Sequence, residues 1–197
     1  ARDNNMPNEN IERAIKRGTG DLDGVNYEKF VYEGYGPGGV ALYLDIMSDN
    51  RNRTASEIRH LLSKNGGNLG EQGCVAWMFE RKGQLIFDLE ENNIDEDELM
   101  LAALEAGAED VEVEDSIATV YTEPGNYESA REQLEKDGHE VDSADLAMVP
   151  NNEVKLDKST AKKMLNLMEL LEDHDDVQEV YANFDIPGEV MQEIEEE

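Results

Sequence analysis

The sequence contains one cysteine, Cys74, among its 197 residues, so an internal disulfide cannot form. It has no apolar run near the roughly 20 residues that a membrane-spanning helix needs. It also lacks the basic and then apolar opening of a secretory signal. These absences predict a soluble, cytoplasmic protein that contacts no membrane. Because the first residue is Ala1 rather than methionine, we also expect a segment upstream of it.

Positive charge is scarce, and it is unevenly distributed. Residues 1–82 contain 11 Lys and Arg against 12 Asp and Glu, a net charge of −1. Residues 83–197 contain 6 against 35, a net charge of −29. The acidic part repels phosphate over about a Debye length. A contact with nucleic acid therefore has to come from the first 82 residues or from what precedes them. Solubility is the plainer explanation for the acidic part itself.

Residue combinations that carry catalysis are missing as well. His60, His139 and His174 are scattered and have no metal-ligand spacing, and Cys74 has no base beside it in the sequence. Residues 34–39 match the pattern G-x-G-x-x-G, but a dinucleotide site needs a helix directly after the glycines, and a strand pattern follows instead. These glycines are more typical of a tight hairpin turn. We predict no catalytic residue, no metal site and no cofactor.

Hydrophobic periodicity and capping residues predict the elements of the first part. Alternation predicts strands, and a period of three to four residues predicts helices. Thr54 and Glu57 have the spacing of a capping box, which places a helix start at Thr54. The predicted elements are a helix at 8–17, strands at 27–33 and 40–47, a helix at about 54–64, and a strand at 75–80.

The middle of the chain has the order β-α-β-β-α-β, which is the ferredoxin-like arrangement. Its strands are predicted at 84–89, 110–114, 117–122 and 140–148, with one helix capped by Asp95 and another at 126–137. A final helix begins after Asp157, a strand follows at 177–182, and the acidic tail from Glu189 is expected to fray.

The last helix and strand have no partners in the ferredoxin-like part, and the sheet of the first part needs one more helix to cover it. Packing therefore predicts an α+β protein in which residues 83–147 are inserted into a central α/β domain built from residues 23–82 and 148–197.

Basic side chains cluster around the predicted helix at 54–64, where Glu57 is the only acid. Several fixed donors on a rigid element are what phosphate binding needs. An ordinary solvated helix face, with Arg51 or Arg53 tied to Asp49, explains the cluster equally well. The candidate nucleic-acid-binding residues are Arg51, Arg53, Arg59, His60 and Lys64, extended by Arg13, Lys16 and Arg17 of the first predicted helix.

Aromatic residues offer a second kind of contact, because bases stack on them. Tyr35, beside the glycine turn, is the best candidate for an exposed ring. Trp77 and Phe79 lie in a predicted strand, where aromatic side chains more often fill a core, and we expect both to be buried.

Several ordered motifs resemble the YebC family, which includes PmpR-type transcriptional regulators and the mitochondrial translational activator of cytochrome c oxidase subunit I. They are Glu33-Gly34-Tyr35-Gly36-Pro37-Gly38-Gly39, Asp49-Asn50-Arg51-Asn52-Arg53-Thr54, Glu57-Ile58-Arg59-His60, Lys64-Asn65-Gly66-Gly67-Asn68-Leu69-Gly70, Ala102–Asp110 and Asp176–Tyr181.

The resemblance implies two α/β sandwich domains, the ferredoxin-like one inserted in the other, preceded by a basic helical domain of which residues 1–22 would be the end. It also leaves two functions open. One is a DNA-binding transcriptional regulator without catalysis. The other is a ribosome-associated translation factor that binds ribosomal RNA and relieves stalls at proline-rich stretches. The oligomeric state stays open.

Overall fold

A computed structural model of the chain describes residues 26–195, which form two compact units. The first unit runs up to Ala76 and resumes at Glu153, and the second unit comprises Trp77–Asn152. The predicted helix at 8–17 and its basic residues Arg13, Lys16 and Arg17 lie outside the described residues. The two units are described separately below.

Ten strands and five helices account for most of the described range. The strands are β1 (Glu28–Tyr35), β2 (Ala41–Ser48), β3 (Asn68–Leu69), β4 (Phe79–Asp88), β5 (Asp110–Glu114), β6 (Ile117–Thr122), β7 (Ser143–Pro150), β8 (Val154–Lys155), β9 (Val177–Ala182) and β10 (Phe184–Asp185). The helices are α1 (Arg51–Lys64), α2 (Glu96–Glu105), α3 (Tyr127–Lys136), α4 (Lys158–Glu172) and α5 (Gly188–Glu195). Short 3-10 turns occur at Pro37–Gly39 and Ala76–Met78.

The first unit is an antiparallel sheet covered by α1 and α4. Its strand order is β3-β1-β2-β9, and a separate parallel pair joins β8 to β10. The alternating residues of β2, among them Leu42, Leu44 and Ile46, are fully buried against Ile58 of α1 and Met164 of α4. The predicted alternation of the strand and the predicted apolar stripes of the two helices therefore form one core.

The glycine-rich segment between β1 and β2 is a hairpin turn, as its sequence predicts. The Gly36 N–H donates to the Val40 carbonyl at 2.8 Å, and Gly38 and Gly39 have φ values of 76° and 78°. Only glycine adopts such values freely. Because the strand β2 and not a helix directly follows the glycines, the segment lacks the strand–turn–helix order of a dinucleotide site, and that interpretation does not apply.

The second unit has the predicted ferredoxin-like topology. Its sheet is fully antiparallel in the order β7-β4-β6-β5, which is 4-1-3-2 when its strands are counted along the chain. Helices α2 and α3 bury Leu99 and Leu134 against Leu85 and Phe87 of β4. The described residues thus confirm an α+β fold with sandwich-like units.

The strand that begins the second unit differs from the predicted one. The strand predicted at 84–89 begins earlier, because β4 runs from Phe79 through Gly83 to Asp88; of the strand predicted at 75–80, only residues 79 and 80 belong to it. A side chain at Gly83 would collide with the hydroxyl of Thr122 and the ring of Tyr127, so this glycine permits a close approach and does not end the strand. The contacts divide the chain after Ala76 and Asn152, whereas the sequence places its domain boundaries after residues 82 and 147.

Within the described residues, the acidic C-terminal segment is helical from Gly188 to Glu195, whereas its sequence predicts fraying from Glu189. It forms helix α5, in which Val190 and Ile194, four residues apart, pack against the core of the first unit. The Glu193 carboxylate also lies 3.7 Å from the ammonium group of Lys158. Two apolar contacts at helical spacing are thus enough to fix a segment whose composition alone indicates disorder.

Candidate nucleic-acid interface

Helix α1 begins three residues earlier than its sequence predicts. Asn50 is the N-cap, and its side-chain oxygen accepts the Arg53 N–H at 3.0 Å. Thr54 is buried within the helix, and Glu57 bonds to His174 at 3.1 Å, so the predicted capping box does not exist. As a consequence, Arg51 and Arg53 lie in the first turn of the helix.

Arg53 is held by two carboxylates. Its guanidinium lies 2.9 Å from Asp49 and 2.9 Å from Asp176, and the hydrogen bonds to Asp176 and then to Asp49 raise the pKa of Arg53. Asp176 is buried and also accepts the hydroxyls of Thr54 at 2.7 Å and Ser48 at 3.1 Å. Burial alone would raise the pKa of Asp176, but the bonds from Arg53, Thr54 and Ser48 hold it below 3.8. This geometry favours the structural alternative for Arg53.

Arg51 is engaged less tightly. Its Nε lies 3.0 Å from the Glu28 carboxylate, and its guanidinium lies 4.4 Å from the centre of the Phe30 ring. Both partners of the ion pair are mostly exposed, at 59% and 64% of their side-chain surfaces, so water screens the attraction. A phosphate can therefore compete with Glu28 for Arg51.

The outward face of α1 carries the remaining candidates. Arg59, His60 and Lys64 are exposed and have no ion-pair partner within residues 26–195. Asn52, Ser56 and Ser63 are also exposed, and helical spacing places all six side chains on the side away from Ile58 and Leu62. This face offers amide, hydroxyl, imidazole and cationic donors, which are the groups that bind phosphate oxygens.

Sequence reasoning missed a cation from the second segment of the first unit. Helix α4 packs along α1, and the Asn166 amide lies 3.4 Å from the Asn65 side-chain oxygen. Lys163 is exposed one helical turn before Asn166, on the same side of α4. It is therefore a further exposed cation of the first unit, on a helix that packs against α1. The Lys162-Lys163 pair next to the apolar Ala161 and Met164 was the available signal, but the strong negative charge of the later residues concealed it.

Glu57, His174 and Asp176 place ligand-type atoms within 4.8 Å of one another. These atoms are already engaged, since His174 Nδ1 accepts the Asp176 N–H at 3.1 Å and its Nε2 faces Glu57. With Nδ1 as acceptor, the neutral ring carries its proton on Nε2 and donates to Glu57. The cluster thus links α1 to the loop before β9.

Two of the three aromatic candidates differ from their predicted exposure. Tyr35 is half-buried and donates to the Cys74 carbonyl at 3.3 Å, so it is not the exposed ring that its sequence predicts. Phe79 is buried, as expected. The prediction that Trp77 is buried is wrong, because 70% of its surface is exposed. The 3-10 turn at Ala76–Met78 replaces the predicted strand and breaks the alternation on which that prediction depended.

The second unit has a strongly acidic surface. It contains four Lys and Arg against 22 Asp and Glu. On the sheet face away from α2 and α3, β5 presents Asp110, Glu112 and Glu114, which pair in register with residues of β6. Some ferredoxin-like domains bind RNA on this face with aromatic side chains. In this protein the carboxylates on the same face would repel phosphate.

Among the described residues, no helix has both the length and the apolar composition that crossing a bilayer requires. The fold and the candidate interface together define an α+β protein in which a ferredoxin-like acidic unit interrupts an α/β unit that carries a cationic helix. The family profile described as "TACO1/YebC second and third domain" matches residues 27–184, and the chain belongs to this family.

Curated relatives agree with this assignment. A protein of Halothermothrix orenii is 73% identical over 198 residues, which span 100% of this chain and 78% of the relative. One of Natranaerobius thermophilus is 58% identical over 193 residues, spanning 98% and 77%. Each is named "Probable transcriptional regulatory protein". Among solved structures, a conserved hypothetical protein from Aquifex aeolicus has a TM-score of 0.78 and 47% identity, covering 98% of this chain and 79% of its own.

Proposed function

We propose that this protein is a cytoplasmic transcriptional regulatory protein that binds DNA through phosphate contacts and catalyses no reaction. The observation that carries the proposal is the exposed face of α1, where Arg59, His60 and Lys64 have no carboxylate partner in the described range. The names of the relatives supply the regulatory role. DNA is the polyanion that such a regulator would meet.

The charges of the two units support this choice of surface. The second unit has a net charge of −18 and repels a polyanion, whereas α1 alone has four Lys and Arg against one Glu. The local excess of cations on α1 would favour an approach to DNA through this helix. Because the donors of α1 are generic, the contacts should position the protein on the backbone and read sequence weakly.

Neutralising Arg59 and Lys64 tests the interface. We expect the Arg59→Gln, Lys64→Gln variant to bind duplex DNA more weakly for every sequence. The slope of log affinity against log salt should fall by about 1.8, since each lost phosphate contact removes about 0.9. Both side chains are exposed and lack ion-pair partners in the described chain, so the thermal unfolding midpoint should not change. Fluorescence anisotropy of a labelled duplex at several salt concentrations measures the slope.

The matched control is Lys29→Gln plus Lys155→Gln, which removes the same charge from exposed positions on β1 and β8. If DNA contacts α1, this control keeps most of the slope. Equal losses in the two double variants would show that only the overall charge matters, and the proposed interface would be wrong.

A ribosome-associated translation factor is the second candidate function, and one observation favours it. Leu101 and Leu104 of α2 are 65% and 61% exposed, with Met100 beside them. They lie among acidic residues of the same helix, including Asp97 and Glu105. Apolar side chains bordered by acids suit a basic protein surface and not nucleic acid. Ribosomal proteins are basic, and α1 would then contact ribosomal RNA.

For this function we expect Leu101→Gln plus Leu104→Gln to reduce co-sedimentation with ribosomes and to leave affinity for duplex DNA unchanged. Pelleting through a sucrose cushion and a promoter-shift assay, at the same salt concentration, separate the two functions. Ile117→Gln is the control, because Ile117 is a 39% exposed apolar residue of the same unit outside α2. Sedimentation that is equal for all three proteins would remove the support for the ribosomal function.

A further inference from the structure

The side chain of Trp77 is the most exposed large apolar group in the described residues. A single exposed apolar residue is common on protein surfaces and needs no explanation by itself. Two further observations, the rigidity of its backbone and the charges next to it, give Trp77 a specific chemistry.

The backbone on both sides of Trp77 is fixed. Val75 is completely buried and Phe79 nearly so. Glu33, a buried carboxylate of β1, accepts the Val75 N–H at 2.9 Å and the Ala76 N–H at 2.7 Å. On the other side, the Asn151 N–H donates to the Met78 carbonyl at 2.8 Å. The indole therefore projects from an ordered turn, so little conformational entropy would be lost when a ligand stacks on it.

Arg81 follows Trp77 by four residues and differs from the other cations of the second unit. Lys82, Arg131 and Lys136 each have a carboxylate within 4 Å. Arg81 is exposed and has no ion-pair partner in the part of the chain that the structure describes. The segment 77–82 holds two cations and one acid, whereas residues 83–152 hold two cations and 21 acids. The part of the second unit that is nearest to Trp77 in sequence is therefore the part with the fewest carboxylates per cation.

We propose that Trp77 is a stacking platform for an unpaired base of a single-stranded nucleic acid and that Arg81 contacts a neighbouring phosphate. Four residues of extended or 3-10 backbone span about 10–13 Å, so a short segment of one strand can contact both side chains. An indole stacks on any base, and this contact needs a base face that a closed duplex does not expose. The inference rests on the proposed binding of nucleic acid and adds a preference for unpaired strands.

The sequence contains one tryptophan, so its fluorescence reports on this site alone. We expect a short oligothymidylate to quench the tryptophan emission when the sample is excited at a wavelength that tyrosine does not absorb. An abasic oligonucleotide of the same length has the same charge and no bases, and it should leave the emission unchanged. A blunt duplex should quench weakly.

Substitution gives the second measurement. Trp77→Ala should weaken oligothymidylate binding by roughly 5- to 150-fold, since stacking contributes about 1–3 kcal/mol per base. Trp77→Phe should retain most of the affinity because the ring is kept. Both variants should unfold at the urea concentration of the unsubstituted protein, because the side chain is largely outside the core.

Anisotropy of labelled oligothymidylate separates two kinds of failure. If the oligonucleotide binds without quenching and with unchanged affinity for Trp77→Ala, then Trp77 is not the platform, and the function proposed for α1 still stands. Equal quenching by the abasic strand would also overturn stacking. If neither the single strand nor the duplex binds at any salt concentration, both the proposed function and this inference are wrong.

Discussion

Replacing Asp176 by asparagine is expected to lower the free energy of unfolding by about 2–4 kcal/mol, the largest loss that we expect from any single polar substitution in the first unit. Only 2% of the residue is exposed. Its Oδ2 accepts from the guanidinium of Arg53 and from the hydroxyls of Ser48 and Thr54. An asparagine amide can keep one oxygen at this position but carries no charge, so Arg53 would lose its buried counter-charge and the three charge-assisted hydrogen bonds would become weaker, neutral ones.

The loss should affect the whole unit, because Asp176 joins three elements. Ser48 ends β2, Arg53 and Thr54 belong to the first turns of α1, and Asp176 directly precedes β9. The Asp176 carbonyl also accepts the Met47 N–H at 2.9 Å. Weakening this point should loosen the sheet and the cationic helix together, and the urea unfolding transition should stay cooperative while its midpoint falls.

Two further variants make this result specific. Glu169→Gln removes an exposed carboxylate from α4 and should change the midpoint little. Arg53→Gln should cost less than Asp176→Asn, since Arg53 is 42% exposed and can be solvated, while Asp176 keeps two hydroxyl donors. If Asp176→Asn unfolds at the midpoint of the Glu169→Gln variant, the cluster does not stabilise the fold.

The same carboxylate makes the stability depend on pH. Its pKa in the folded protein lies below the ordinary value of 3.8, so the folded state binds fewer protons than the unfolded state in this range. The stabilisation is complete above pH of about 4 and is lost as the pH falls through the folded pKa. The difference in unfolding free energy between the unsubstituted protein and Asp176→Asn should therefore shrink below pH of about 4. A constant difference would contradict the assigned shift.

Local patterns were sufficient to predict most of the fold. The alternation in β2, the N-caps Asp95 and Asp157, and the order of the ferredoxin-like elements depend on neighbours within a few residues. The continuous strand β4 could not be predicted in this way. In the sequence, Gly83 is typical of the end of a strand. In the structure it makes room for Tyr127, which lies 44 residues later and approaches the strand only in the folded protein.

At the candidate site, too, local sequence patterns predict only part of the arrangement. The sequence identifies the cations around α1 but gives little information about their partners. Asp49 is four residues from Arg53 and visible as a possible partner, whereas Asp176 is 123 residues away. Only the fold therefore separates Arg53, which is tied to two carboxylates, from Arg59 and Lys64, which have no ion-pair partner in residues 26–195. Charge counts locate a basic region, but burial and pairing decide which of its members can meet a ligand.

Glu33→Gln is expected to release the loop before Trp77 and to lower the free energy of unfolding by about 2–3 kcal/mol. The Glu33 carboxylate is 4% exposed and uses both oxygens, one for the Gly73 N–H at 2.6 Å and the other for the N–H groups of Val75 and Ala76. Glutamine offers one oxygen and one NH₂ group. At least one of the three N–H donors would then face another donor, and charge-assisted bonds would become neutral ones.

The consequences should be concentrated in residues 70–76. Hydrogen exchange of the Gly73, Val75 and Ala76 amides should accelerate more than exchange in β2, because these amides lose their acceptor directly while the core strand responds only to global unfolding. Glu71→Gln is the matched control, since Glu71 is an exposed carboxylate of the same loop that accepts none of these bonds. Its exchange rates and stability should be close to those of the unsubstituted protein.

This substitution also connects the fold to the proposed contact with single strands. If the hydrogen bonds to the Glu33 carboxylate position Trp77, then Glu33→Gln should weaken oligothymidylate binding although the indole itself is retained. The affinity for duplex DNA, which we assign to α1, should not change. A loss of stability with unchanged oligothymidylate affinity would mean that the turn at Ala76–Met78 keeps its conformation without the carboxylate. In that case Val75 and Phe79, which are buried on either side of the turn, are sufficient to hold the ring in place.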